Sequence, residues 1–172
     1  MSLELAARAK RVRLAIFDVD GVLTDGTLYI GAQGEAFKAF NSLDGHGIKM
    51  LQAAGIATAI ISGRSSEAVT RRAQELTIAH LVQGSPDKVA DFEHLAAKLG
   101  ITAQECAFVG DDIPDLGVMQ RCGLAVAVAN AAEQVKHAAH YVTTAHGGRG
   151  AVREFCELLL RSQGQLERLT AR

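Results

Sequence analysis

Leu14-Ala15-Ile16-Phe17 is an unbroken apolar run that ends on Asp18-Val19-Asp20-Gly21. A run that is apolar at every position suits a strand covered on both faces, as in a parallel sheet flanked by helices. Ligands of such sheets bind outside the carboxyl ends of the strands, where Asp18 and Asp20 fall. Two acids this close repel each other unless a cation or a shared proton relieves them. The run therefore predicts a buried central strand with cation-assisted chemistry at its end, a phosphoryl group being the leading electrophile.

The rest of the chain alternates short β-type runs with helical stretches, as crossover helices between parallel strands require. Strands are expected over 12–17, 56–61, 78–83, 106–109, 124–128 and 141–142. Helices are expected over 47–54 (ended by Gly55), 65–76, 112–121, 131–139 and 150–161, with one more opened by Pro86 and closed by Gly100. The expected fold is a doubly wound, Rossmann-like α/β sheet forming a single domain over 1–161. Two segments depart from the alternation. Residues 26–40 read as a β-hairpin around Gly31-Ala32-Gln33-Gly34. Residues 162–172 read as a polar tail, frayed or disordered.

Bulk properties remove several function classes. A net charge of −1, no Trp and 5% aromatic residues leave neither a basic footprint nor stacking platforms for nucleic acid. There is no polybasic membrane patch and no apolar run long enough to span a bilayer, and the charged segment 1–12 lacks a signal-peptide core. Cys106, Cys122 and Cys156 form no C-x-x-C pair and read as reduced core thiols of a cytoplasmic protein. None of the six His residues forms a metal pair, and only His46, beside Asp44, invites a test.

The residues at the carboxyl ends of the apolar strands are Asp18 and Asp20, then Ser62-Gly63-Arg64, Pro86-Asp87-Lys88 and Gly110-Asp111-Asp112. Carboxylates without His or Cys at ligand spacing favour Mg²⁺ over zinc. Phosphoryl transfer needs charge neutralisation and in-line positioning, which a Mg²⁺, a lysine, a hydroxyl and backbone amides supply. Each residue also has a plainer reading. Asp112 and Asp115 suit a first helical turn, Ser62 could be a helix cap, and Lys88 alone could be a solvated lysine. Phe37 and Phe40 suit hairpin packing.

In this order, Asp18-x-Asp20, Ser62, Lys88 and Gly110-Asp111-Asp112 resemble the four motifs of the haloacid dehalogenase superfamily of phosphatases. The resemblance implies that Asp18 is the nucleophile and Asp20 the proton carrier. It further implies that Asp18, the Asp20 carbonyl and Asp111 hold Mg²⁺, with Asp112 in support. Ser62 and Lys88 would grip the phosphoryl oxygens. Between these motifs there is room for the hairpin and single helices and strands, but not for a cap domain. A site with no cap is open to water unless something else, such as a neighbouring subunit, covers it.

Asp18 to Gly26, the hairpin, Ile61-Ser62-Gly63-Arg64-Ser65-Ser66 and Gly147-Gly148-Arg149-Gly150 are similar to one capless family within that superfamily. It is the 3-deoxy-D-manno-octulosonate 8-phosphate phosphatases of lipopolysaccharide precursor synthesis. The similarity implies a homotetramer built on the hairpins, with each site completed by a neighbouring subunit. It makes Arg64 and Arg149 anion contacts and places Gly26, Thr27 and Gly63 near the sugar phosphate. Three alternatives stay open on the residues alone. One is a phosphatase for a nine-carbon sialic-acid-type sugar phosphate. Another is a receiver-type phosphoacceptor domain, although receivers carry their adjacent acidic pair after the first strand. The third is a catalytically dead homologue kept for assembly.

Overall fold

The computed structural model describes residues 2–170. In chain order the elements are α1 (Leu3–Arg11), β1 (Leu14–Phe17), β2 (Tyr29–Gly31), β3 (Gly34–Phe37), α2 (Ser42–Ala53), β4 (Ala57–Ile61), α3 (Glu67–Glu75) and β5 (His80–Val82). They continue with α4 (Lys88–Leu99), β6 (Cys106–Gly110), α5 (Leu116–Met119), β7 (Leu124–Ala127), α6 (Glu133–Ala138), β8 (Tyr141–Val142), α7 (Ala151–Ser162) and α8 (Leu166–Thr170). Six strands form one parallel sheet in the order β5-β4-β1-β6-β7-β8, and β2 pairs with β3 in a separate antiparallel hairpin.

β1 lies between β4 and β6 with all four of its residues buried, as its unbroken apolar run demands. From β1 the chain builds outward through β4 to β5, then crosses back to β6 and builds the other way. Right-handed crossovers put α2 and α3 on one face and α4, α5 and α6 on the other. The packing agrees, since α2 and α1 both pack on α7 while α5 contacts α4 and α6. The reversal falls between β1 and β6. The carboxyl ends of those two strands, carrying Asp18 and Asp111, therefore open onto the crevice where such sheets bind ligands.

The loop after β1 is held by its own backbone. The amides of Val22, Leu23 and Thr24 all donate to the Val19 carbonyl, and the amides of Gly21 and Gly26 donate to the buried Thr24 hydroxyl. Gly21, at φ +91°, lies so close to the Asp111 carboxylate that a Cβ there would stand 2.0 Å from Oδ2. On the other side a Cβ on Gly147 would stand 1.6 Å from the Gly21 carbonyl oxygen, and the Gly148 amide donates to the Val22 carbonyl. The loop is thus clamped between two distant parts of the chain by glycine contacts.

The structure adds one helix and redraws several local boundaries. The segment before β1 is the helix α1, capped by Ser2 and docked through Leu5 and Ala9. α2 begins at Ser42 rather than at residue 47, because the Asn41 side chain caps it. Gly45 and Gly47 of this helix are where a Cβ would meet the Arg72 guanidinium and the Arg153 backbone of α7. In place of a helix over 112–121, a single 3-10 turn at Ile113–Asp115, capped by Asp112, leads into the short α5. After α7, the expected polar tail carries the short helix α8 and is docked on the domain. The Gln163 side-chain Nε2 donates to the carbonyls of Ala9 and Val12, and Leu166 of α8 joins the core. Ala171 and Arg172 lie outside the described residues.

Substituting Gly147 by Ala is expected to destabilise the protein by about 1–3 kcal/mol, as overpacking in a tight contact does. Urea unfolding checks this, and turnover is expected to fall with it because the displaced backbone carries Asp20.

Candidate active site

Asp18 is the first residue beyond β1, and its amide extends the ladder to the Val109 carbonyl of β6 at 3.0 Å. Its carboxylate is buried, with Oδ1 2.7 Å from the Lys88 ammonium. Lys88 is the first residue of α4, a helix capped by Asp87 through the amides of Val89 and Ala90. A lysine there opposes the helix dipole, so its placement reflects what its ammonium reaches. That ammonium also bonds Asp115 Oδ1 at 2.7 Å. Asp115 Oδ2 in turn accepts from the Asp111 amide at 2.9 Å. Asp115 is thus a brace, holding Lys88 with one oxygen and the loop after β6 with the other.

Oxygens of Asp18, Asp111 and Asp115 lie within 4.8 Å of one another. At an effective dielectric constant of about 20, each like-charged pair at that separation repels by roughly 3–4 kcal/mol. Lys88 bonds Asp18 and Asp115 directly, which leaves Asp111 with no cation in contact among the described residues. Burial adds to the cost of charge here. Burial, then Asp115, raises the Asp18 carboxyl to about 6 despite Lys88. Burial, then Asp18, Asp115 and Asp112, raises Asp111 to about 8. For Lys88, burial opposes the charge, but Asp18 and Asp115 outweigh it and raise the ammonium. Asp111 Oδ1 is buried without a hydrogen-bond partner. A hard divalent cation fits this all-oxygen set, with Asp18 and Asp111 supplying the unengaged oxygens.

The cleft over this cluster has a volume of about 330 Å³ and is lined by Asp20, Gly26, Gly63, Arg64 and Asp112, as well as by the buried charges. Asp20 stands at its edge, ion-paired to Lys38 of the hairpin and 3.6 Å from Arg64 Nε. Ser62 is buried just beneath the wall, its Oγ accepting from the Arg64 amide at 3.4 Å. Asp112 lines the cleft with its Oδ1 accepting from the Ile113 amide, and the compact acidic cluster contains Asp115 rather than Asp112. Besides Ser62, two expected residues lie outside the lining. Thr27 is exposed, its amide on Asp25 Oδ1, and Arg149 is a surface residue 3.4 Å from Asp25 Oδ2. His46 is exposed. Burial raises the thiols of Cys106 and Cys122 to about 11 and 12, leaving them inert core residues.

Sequence alone leaves Asp115 between a dipole acid and a functional one, and it does not point to Lys38. Asp115 could be found from its four-residue spacing to Asp111 across a proline-containing turn. Lys38 carries no local signal, because its partner lies eighteen positions away and is reached only when the hairpin folds over the cleft.

Comparison with known proteins fits this geometry. A family model for haloacid dehalogenase-like hydrolases matches residues 77–155. The 3-deoxy-D-manno-octulosonate 8-phosphate phosphatase of Escherichia coli K12 is 48% identical over 167 residues, spanning 97% of this chain and 89% of that protein. The chain belongs to the 3-deoxy-D-manno-octulosonate 8-phosphate phosphatase family. The solved member from Moraxella catarrhalis, in complex with magnesium ion, phosphate ion and KDO, superposes with a TM-score of 0.97 at 43% identity, covering 99% of this chain and 98% of that one. A probable phosphatase from Pseudomonas syringae pv. phaseolica superposes equally well, at 0.97 and 54% identity, covering 99% of this chain and 97% of that one. Membership in this phosphatase family closes the receiver-type reading.

Protons compete with a cation for Asp18 and Asp111, whose carboxyls burial and nearby carboxylates push up to about 6 and about 8. Deprotonation frees the ligands, so Mg²⁺ affinity is expected to rise as pH increases through that window. Isothermal titration calorimetry should show dissociation constants falling over the interval, with protons released on binding.

Proposed function

We propose that this protein hydrolyses 3-deoxy-D-manno-octulosonate 8-phosphate to the free sugar acid and phosphate, through an aspartyl-phosphate on Asp18. The observation that carries the reading is the buried Asp18–Lys88–Asp115 ion triad with Asp111 beside it, at the floor of a cleft whose edge holds Asp20 and Arg64. Asp18 attacks phosphorus as the bond to the sugar oxygen breaks, and the leaving oxygen takes its proton from Asp20. Water then attacks the aspartyl-phosphate, returning a proton to Asp20 and releasing Asp18 as a carboxylate. Lys88 keeps Asp18 oriented and ionised, while Ser62 and the Gly63 backbone take phosphoryl oxygens. Mg²⁺ held by Asp18, Asp111 and the Asp20 carbonyl supplies charge neutralisation on the phosphoryl oxygens when bound. The relative solved with magnesium ion, phosphate ion and KDO supports both the metal and the sugar.

The same proposal extends to assembly and location. Leu28, Ile30 and Phe37 expose apolar surface on the hairpin, with Tyr29 and Phe37 stacked at 4.4 Å. A homotetramer formed through this face would bury it and place a neighbour over the open cleft, where Thr27 and Arg149 could contribute to substrate binding. Reduced, buried cysteines fit a cytoplasmic enzyme.

Phosphate release should be fastest from the eight-carbon sugar acid phosphate and should vanish with EDTA. Preference for a nine-carbon sialic-acid-type phosphate would move the protein to that substrate. Asp18→Asn is expected to reduce turnover to background while the far-ultraviolet circular dichroism spectrum stays native. Sedimentation velocity should give a tetramer, and Ile30→Glu should shift it toward smaller species.

A further inference from the structure

Asp20, like Asp112, lines the cleft without joining the compact acidic cluster, and a hairpin residue holds it. The Lys38 ammonium is ion-paired to Asp20 Oδ1 and lies 3.1 Å from Glu35 Oε2, and the Lys38 side chain is only 3% exposed. Glu35 continues the chain to the Ser66 hydroxyl, and the Ser66 amide is fixed by the Gln83 side chain at 2.8 Å. A run of contacts, charge-assisted as far as Ser66, therefore connects Asp20 through the hairpin to the N-cap residue of α3. A lysine usually leaves its ammonium in water. Here the ammonium is fixed against two carboxylates, and such contacts are stronger and more directional than neutral ones.

We propose that Lys38 is a positioning residue for proton transfer, fixing the Asp20 carboxyl so that Oδ2, on the Arg64 side, delivers the proton to the leaving oxygen. The ammonium in direct contact with Oδ1 engages that oxygen and restrains rotation of the carboxyl, leaving Oδ2, 3.6 Å from Arg64 Nε, as the less engaged oxygen facing the cleft. Glu35 holds Lys38 in turn. The hairpin thereby serves the chemistry of its own subunit as well as presenting an apolar face. This inference rests on Asp20 being the proton carrier.

The test is the dependence of kcat/KM on leaving-group basicity, using p-nitrophenyl phosphate, phenyl phosphate and an alkyl phosphate that carries no sugar. A nitrophenolate departs without a proton, whereas an alkoxide needs one. Positioned acid catalysis contributes about 10²–10⁴-fold. Lys38→Met is accordingly expected to lower kcat/KM for the alkyl ester by about 100-fold and for the nitrophenyl ester by less than about a tenth of that factor. Lys38→Arg should recover much of the loss. Glu35→Gln, which keeps Asp20 and Lys38, should steepen the dependence in the same sense and stands in if Lys38→Met does not fold. In an Asp20→Asn background, Lys38→Met should add nothing further.

An equal loss on all three esters, or an unchanged slope in both Lys38→Met and Glu35→Gln, overturns the inference. If Asp20→Asn itself fails to discriminate among the esters, the assignment of Asp20 as proton carrier fails instead. Because none of the probes has a sugar, a contact between Lys38 and the sugar cannot produce the expected pattern.

Discussion

The mutual repulsion of buried carboxylates governs the arrangement of this molecule. Asp18 and Asp111 are placed by neighbouring strands at the reversal point of a parallel sheet, and Asp115 is folded back onto them by a short turn. Lys88 offsets part of the charge and is in turn immobilised by it. Much of the local architecture keeps these groups close despite their repulsion. The apolar β1 anchors Asp18, the Asp87 cap sets the angle of α4, and a Cβ-free Gly21 lets the Asp111 carboxylate lie against the main chain. Burial and neighbouring carboxylates push Asp18 and Asp111 up, so a divalent cation that binds their ionised forms would relieve the cluster, as a metal-dependent site requires.

The fold was legible because strand burial is written in composition. Cys106 to Val109, Leu124 to Ala127 and the run ending at Phe17 are apolar throughout, and every one is a central strand. Boundaries governed by side-chain hydrogen bonds were harder to read. Asn41 starts α2 ahead of two glycines that propensity alone would treat as breakers. Those glycines are there because Arg72 and α7 come close, and tertiary contact of that kind leaves no local pattern.

The site divides the same way. Asp18, Lys88 and Asp111 follow from the rule that strand ends converge, so their meeting could be anticipated. Asp115 sits four residues after a strand-end acid, and deciding between brace and dipole partner required knowing where Lys88 points. Lys38 belongs to a segment outside the sheet, so no rule about strand ends reaches it. Arg149 illustrates the converse. The chain brings it beside Asp25 rather than into the cleft, at 71% exposure, where a single ion pair adds little.

The contact between Gly21 and Gly147 has a consequence for when the site can exist. The loop carrying Asp20 is sealed by a segment that precedes α7, near the far end of the chain. During synthesis the N-terminal strand emerges first, yet the backing for its loop is translated more than a hundred residues later. A ribosome-bound chain lacking that segment holds every acid of the cluster without the support that orders Asp20 over it. Competence thus arrives only as the last helices dock, so unfinished chains are poorly equipped to turn over substrate.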